Sequence, residues 1–144
     1  MFGSGSDEKM LHEKSCGAVL FTVEKGIKKY LIVESNYFGL PKGHVEDDET
    51  EQETALREIK EETGIDAKIV PGFRETVNYR LPNGNVKEVV LFIAEYKAQP
   101  YTVNRDELRG ITLLPYEKAL KRITYRDTKT VLQDANDWLE RHGY

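Results

Sequence analysis

The 144-residue chain has one cysteine, one tryptophan and five prolines, and no apolar run long enough to span a bilayer. A single cysteine excludes an internal disulfide, and Cys16 lies in an apolar stretch, where a thiol reads as buried packing rather than as a nucleophile. A basic tract is also missing: 21 basic residues stand against 25 acidic ones, for a formal charge of -4, which argues against a duplex nucleic-acid binder. Residues 1–12 carry Gly3-Ser4-Gly5-Ser6 and then mixed charge, without the apolar core of a signal peptide, so a flexible leader is expected there and one domain over 13–144. Neither an internal repeat nor an interdomain linker is visible. With 39% hydrophobic and 32% charged residues, the chain has enough apolar material for one real core. A soluble protein in the cytoplasm is expected, as a monomer or a homodimer, with no membrane partner.

What is present is concentrated between Gly43 and Ile65, where Glu49, Arg57, Glu58, Ile59, Glu61, Glu62 and Gly64 stand at fixed spacing. Thr50 to Thr63 lacks Pro and Gly, is rich in good helix formers, and stops at Gly64, where a left-handed cap is expected. On such a helix Glu58, Glu61 and Glu62 fall at i, i+3 and i+4, while Ala55, Leu56, Ile59 and Thr63 form a partly apolar face. Each uncompensated pair of like charges costs an isolated helix up to about 0.5 kcal/mol, a cost that a counter-cation removes. Oxygen donors of this kind suit Mg2+ or Mn2+. A single Glu-Glu pair would be read as a solvated face. The joint placement of glycines, glutamates, arginine and aliphatic residues is too specific for that, and it points to metal-assisted phosphate chemistry.

Around this segment the chain reads as strands and helices in alternation. Ser15–Val23 and Lys29–Glu34 are expected strands joined at Lys25-Gly26, with Val19, Phe21, Tyr30 and Ile32 in the core or on the sheet face. Residues 66–80 and 87–97 form two more around an Asn83-Gly84 turn. A strand at Gly110–Leu114 leads into a helix from Pro115 to about Arg122. A last helix over Asp127–Arg141 stacks Val131, Leu132, Ala135, Trp138 and Leu139 toward the core.

The Gly43–Ile65 segment matches every specified position of the Nudix box, and residues 15–142 resemble one domain of the Nudix hydrolase family. The resemblance implies an α+β fold, a mixed sheet sandwiched between helices, and hydrolysis of a nucleoside diphosphate linked to another group. It also implies two or three Mg2+ ions, or Mn2+, held by Glu58, Glu61, Glu62 and a fourth carboxylate from a loop outside the box. Glu107 in Asn104-Arg105-Asp106-Glu107-Leu108 aligns best with that carboxylate, and Asp106 is the near competitor. Glu61 or Glu107 would accept the proton of the attacking water, with Glu61 ahead by its place on the helix face. Arg57 would orient a box glutamate, with Glu49 as partner, and Gly43 and Gly64 would serve backbone shape.

Residues outside the box decide the substrate. Leu40-Pro41-Lys42-Gly43-His44 is similar to a stretch of the asymmetric diadenosine tetraphosphate hydrolases, in which the Lys and His contact phosphates. The same resemblance makes Tyr79 a base-stacking residue, Lys87 a phosphate ligand and Tyr125 a second ring against the base. ATP and AMP are then the products. Phe38 and Leu113 depart from the subgroup, standing where Trp is usual. Open alternatives are an oxidised nucleoside triphosphate, a capped RNA 5′ end or a diphosphoinositol polyphosphate as substrate, or a noncatalytic nucleotide sensor on the same scaffold.

Overall fold

The computed structural model describes residues 12–144, so the expected leader, His12 apart, lies outside the described residues. In chain order the elements are β1 (His12–Glu24), β2 (Ile27–Glu34), β3 (Phe38–Gly39), β4 (Lys42–His44), α1 (Glu51–Thr63), β5 (Lys68–Arg80), β6 (Val86–Glu95), β7 (Gly110–Pro115), α2 (Tyr116–Arg122) and α3 (Arg126–Arg141). The strands form one mixed sheet of order β3-β2-β1-β6-β5, with β4 paired to β1 and β7 to β2. Among the described strands only β1 and β6 run parallel, Val19 lying opposite Ile93.

Side chains alternate across this sheet, and each face finds a helical cover. Val19, Phe21, Tyr30, Ile32, Val89, Leu91 and Ile93 turn to one face and pack with Ala119, Val131, Leu132, Ala135 and Leu139 of α2 and α3. Ala18, Leu20, Leu31, Val33, Val90, Phe92 and Ala94 turn to the other and pack with Ala55 and Ile59 of α1. Because both faces are buried, β1, β2 and β6 read as nearly continuous apolar runs. The fold is therefore an α/β/α sandwich in the α+β class, as expected. Tyr30 adds a polar tie, its hydroxyl donating to Asn136 Oδ1 of α3 at 2.6 Å.

Two details of β1 shape the site. Along one edge it pairs with β2 over residues 21–24 and with β4 over residues 15–17. Ser15 of β1, Val33 of β2, Lys42, Gly43 and His44 of β4 and Glu58 of α1 line one cleft. The short strands β3 and β4 are not among the strands expected from sequence; their few residues carry no periodicity from which pairing could be read.

Candidate active site

The helix that carries the acids is fixed at both ends by its own sequence. Thr50 caps the N-terminus: its Oγ1 accepts from Glu53 N at 3.1 Å, while Thr50 N donates to Glu53 Oε1 at 2.8 Å. Gly64 ends it at φ 74°, a left-handed conformation open to glycine, with its N–H on Lys60 O. The α1 carbonyls then anchor the loop that follows β6. Thr102 N donates to Thr63 O at 2.8 Å, Asn104 N to Glu62 O at 3.1 Å, and Asn104 Nδ2 to Glu61 O at 3.3 Å. Asn104 in turn accepts from Glu107 N and Leu108 N through its carbonyl, and from Asp106 N through its side chain. This one asparagine ties the acidic loop to the helix end, and sequence reading did not single it out.

The result is a carboxylate cluster. Glu58, Glu61 and Glu107 each offer an oxygen within 4.8 Å of the others. Glu62 stands outside that trio and is 5% exposed. Its carboxyl is pushed well above the ordinary carboxylate range, first by burial and then by the charge of Glu58. The Glu107 carboxyl is likewise raised by burial and by Glu58 and Glu61. Hard oxygen donors at this separation, which repel one another and hold protons too tightly when alone, fit a divalent cation as the missing counter-charge. Asp106, the competitor, is not in the trio.

Arg57 organises the cluster from behind. Its Nε donates to Glu49 Oε2 at 2.6 Å, its Nη1 to Glu58 at 2.9 Å and to Glu61 at 3.1 Å, and its Nη2 to His44 O at 2.9 Å. Gly43 lies against the same acid: a Cβ there would overlap the carboxyl group of Glu58. The close approach of β4 to α1 thus requires glycine at this position.

Two adjoining clefts surround the acids. The first, about 510 Å³, is lined by Glu58, Glu61, Glu62 and Glu107 on one side and by Lys42, His44 and Lys87 on the other. Burial and the neighbouring charge of Lys42 lower the Lys87 pKa. His44 is largely exposed, its Nε2 3.9 Å from Glu13. The second cleft, about 370 Å³, is lined mainly by apolar and aromatic groups: Tyr37, Leu40, Val77, Tyr79, Leu91 and Tyr125. Tyr79 and Tyr125 are 41% and 55% exposed, unusual for large rings that only pack. The clefts share Tyr37, Leu40 and Lys42. The expected site residues thus line these clefts except Arg57, which orients the acids from behind, and Glu49 and Gly64, which brace α1 from either end. Tyr37, which sequence reading passed over, sits at the junction.

The same fold occurs in known proteins. The family model of the NUDIX domain matches residues 12–134. A Sus scrofa bis(5'-nucleosyl)-tetraphosphatase (asymmetrical) is 31% identical over 140 residues, 88% of this chain and 95% of the relative. The crystal structure of a C. elegans Ap4A hydrolase binary complex superposes with a TM-score of 0.82 at 25% identity, covering 89% of this chain and 98% of that one. The NUDIX domain of Shewanella oneidensis NrtR, solved with ADP ribose, shares the fold at a TM-score of 0.74 and 21% identity, over 94% of this chain and 92% of its own. Among the described residues no helix is long and apolar enough to cross a membrane.

Proposed function

The chain belongs to the Nudix family and is a hydrolase of phosphoric anhydride bonds, and from that premise we propose that it splits a dinucleoside polyphosphate, diadenosine tetraphosphate, into ATP and AMP in the presence of Mg2+. The observation that carries the reading is the adjacency of the two clefts: a charged trough sized for phosphates opens into an aromatic slot sized for a base. A nucleoside triphosphate, with one base and its phosphates, would fill both clefts as well, so what favours a dinucleotide is the likeness to the asymmetric tetraphosphatases over 88% of the chain.

Glu58, Glu61 and Glu107 would hold the divalent ions, with Glu62 completing the set once a cation offsets its buried charge. When bound, the metal supplies a Lewis acid and a lowered water pKa. Glu61, exposed on the helix face, would accept the proton of the attacking water, and Glu107, exposed as well, is its alternate. Arg57 keeps Glu58 and Glu61 oriented through charge-assisted hydrogen bonds. Lys42, Lys87 and His44 bind the polyphosphate and meet the charge that develops on the leaving group. Tyr79 and Tyr125 take the base, a stacking contact worth about 1 to 3 kcal/mol per base. A location in the cytoplasm accords with a single, buried thiol.

The test is a substrate panel with Mg2+, containing diadenosine tetraphosphate, diadenosine triphosphate, ADP-ribose, 8-oxo-dGTP and triphosphorylated RNA, with products separated by chromatography. Leading turnover of diadenosine tetraphosphate to ATP plus AMP is expected. A different leading substrate would leave the hydrolase assignment intact and overturn the reading of the aromatic slot.

A further inference from the structure

Tyr37 lies between β2 and β3, partly buried, and lines both clefts. Its hydroxyl oxygen accepts a hydrogen bond from Lys42 Nζ at 3.0 Å. Its ring leans on that of Tyr125, centroids 5.1 Å apart and planes tilted by 58°. The backbone makes this pairing firm. Phe38 N donates to Thr124 Oγ1 at 2.9 Å, and Thr124 N to Phe38 O at 3.0 Å. The segments just after Tyr37 and just before Tyr125 are therefore bound to each other directly.

Lys42 needs such a partner. Its ammonium rides on a flexible stem of four carbons and faces the like charge of Lys87, which would drive it outward when no phosphate is present. The phenol is the polar side chain that holds it, and the phenol's own place is set by contact with Tyr125 on the base side.

We propose that Tyr37 is a positioning residue that couples the base slot to the phosphate trough: by resting on Tyr125 and accepting from Lys42, it aims the lysine at the polyphosphate chain. The proposal rests on the reading of the two clefts given above. It predicts that the hydroxyl acts on turnover only through Lys42, and that the ring acts on nucleotide affinity through Tyr125.

The experiment is a double-mutant cycle of Tyr37→Phe and Lys42→Ala, run with whichever polyphosphate the wild-type enzyme turns over best, together with AMP affinity by calorimetry for Tyr37→Phe and Tyr37→Ala. Tyr37→Phe is expected to lower kcat about tenfold, with KM and AMP affinity within about twofold of wild type, as loss of a hydrogen bond to a charged group implies. In the Lys42→Ala background the same change is expected to alter kcat by less than about twofold. Tyr37→Ala is expected to weaken AMP binding as well, by about fivefold or more. The proposal is overturned if Tyr37→Phe leaves kcat unchanged, or if its effect is equally large without Lys42. Should diadenosine tetraphosphate not be a substrate at all, the substrate reading fails at the wild-type stage, whereas the cycle on the true substrate still decides the role of Tyr37.

Discussion

Arg57 and Glu49 meet in a two-pronged contact, Nε to Oε2 at 2.6 Å and Nη2 to Oε1 at 3.1 Å, across the turn that leads into α1. The guanidinium holds the Glu49 carboxyl well below the ordinary carboxylate range, at about 2. With this prong engaged, the remaining N–H groups point at Glu58 and Glu61 and at the backbone of β4. One side chain thus ties the acidic helix to the strand facing it.

Replacing Arg57 with Lys keeps the charge and loses the fork. The buried Glu58 and the exposed Glu61 would then no longer share an orienting partner. Steady-state kinetics should show kcat reduced about 10- to 100-fold with KM little changed. A variant with wild-type kcat would mean that the charge alone suffices.

Removing an acid from the trio should be far more severe. For Glu61→Gln, and separately for Glu58→Gln, kcat is expected to drop by about 10²- to 10⁴-fold, with the circular dichroism spectrum retained. EDTA should abolish wild-type turnover. Thermal melts supply the independent check, because a cation that binds only the folded chain raises Tm by mass action. Mg2+ or Mn2+ should stabilise the wild type, and the increment should shrink in both variants.

Gly43→Ala tests the close approach of β4 to α1. A methyl group there collides with the Glu58 carboxyl, so either the acid or the strand must move. We expect weaker metal binding in the same melt assay and a loss of activity comparable with that of Glu58→Gln. Retention of both would show that β4 has room to retreat.

For the aromatic slot, Tyr79→Ala and Tyr125→Ala are each expected to weaken AMP binding by about 5- to 150-fold, the range that corresponds to the stacking of one base. The change should appear mainly in KM. Titration calorimetry with AMP in the absence of turnover reads it directly, and unchanged affinity in both variants would remove the slot from base recognition.

Stability should vary with pH in two windows set by groups outside the active site. Glu51 is held down to about 2 by Arg74 and Lys14, against an ordinary 4.5, so its contribution is complete above about pH 4.5 and is lost as pH falls toward 2. Glu75 moves the opposite way, up to about 7, through burial and a hydrogen bond shared with Asp134 of α3. The folded state keeps a proton there that the unfolded chain has released, so stability should decline as pH rises from about 4.5 to about 7. Urea midpoints for wild type and Glu75→Gln across pH 5 to 8 check this: the decline should flatten in the variant, whose amide needs no proton to bond Asp134.

Much of this molecule is legible in its residues. Helix α1 starts one residue after the expected Thr50 because that threonine spends itself as the cap, and it ends at Gly64 as its φ requires. Lys25 and Gly26 both take positive φ, which makes the first hairpin tight. β1 runs three residues further toward the N-terminus than expected, because it gains β6 as a parallel neighbour from His12 onward. That pairing joins distant segments and leaves no local trace in composition. In the site, the box announces itself through fixed spacing along one helix. Tyr37 and Asn104 do not, because each acts across a junction formed only when segments remote in sequence come together, Tyr37 against Tyr125 and Asn104 against the end of α1.

The central pairing also bears on how the protein is made. Thr22 of β1 bonds the carbonyl of Tyr96, 74 residues away, and β1 finds its parallel neighbour only when β6 has been synthesised. Forming such a contact costs loop-closure entropy before any packing compensates for it, so the sheet should assemble late and slowly. A ribosome-bound chain that ends before residue 86 carries the whole acidic helix with no strand β6 to complete the sheet beneath it. The nascent chain should therefore remain inert toward nucleotides until the second half of the sequence has emerged, and a truncation just ahead of β6 should be prone to aggregation rather than partially active.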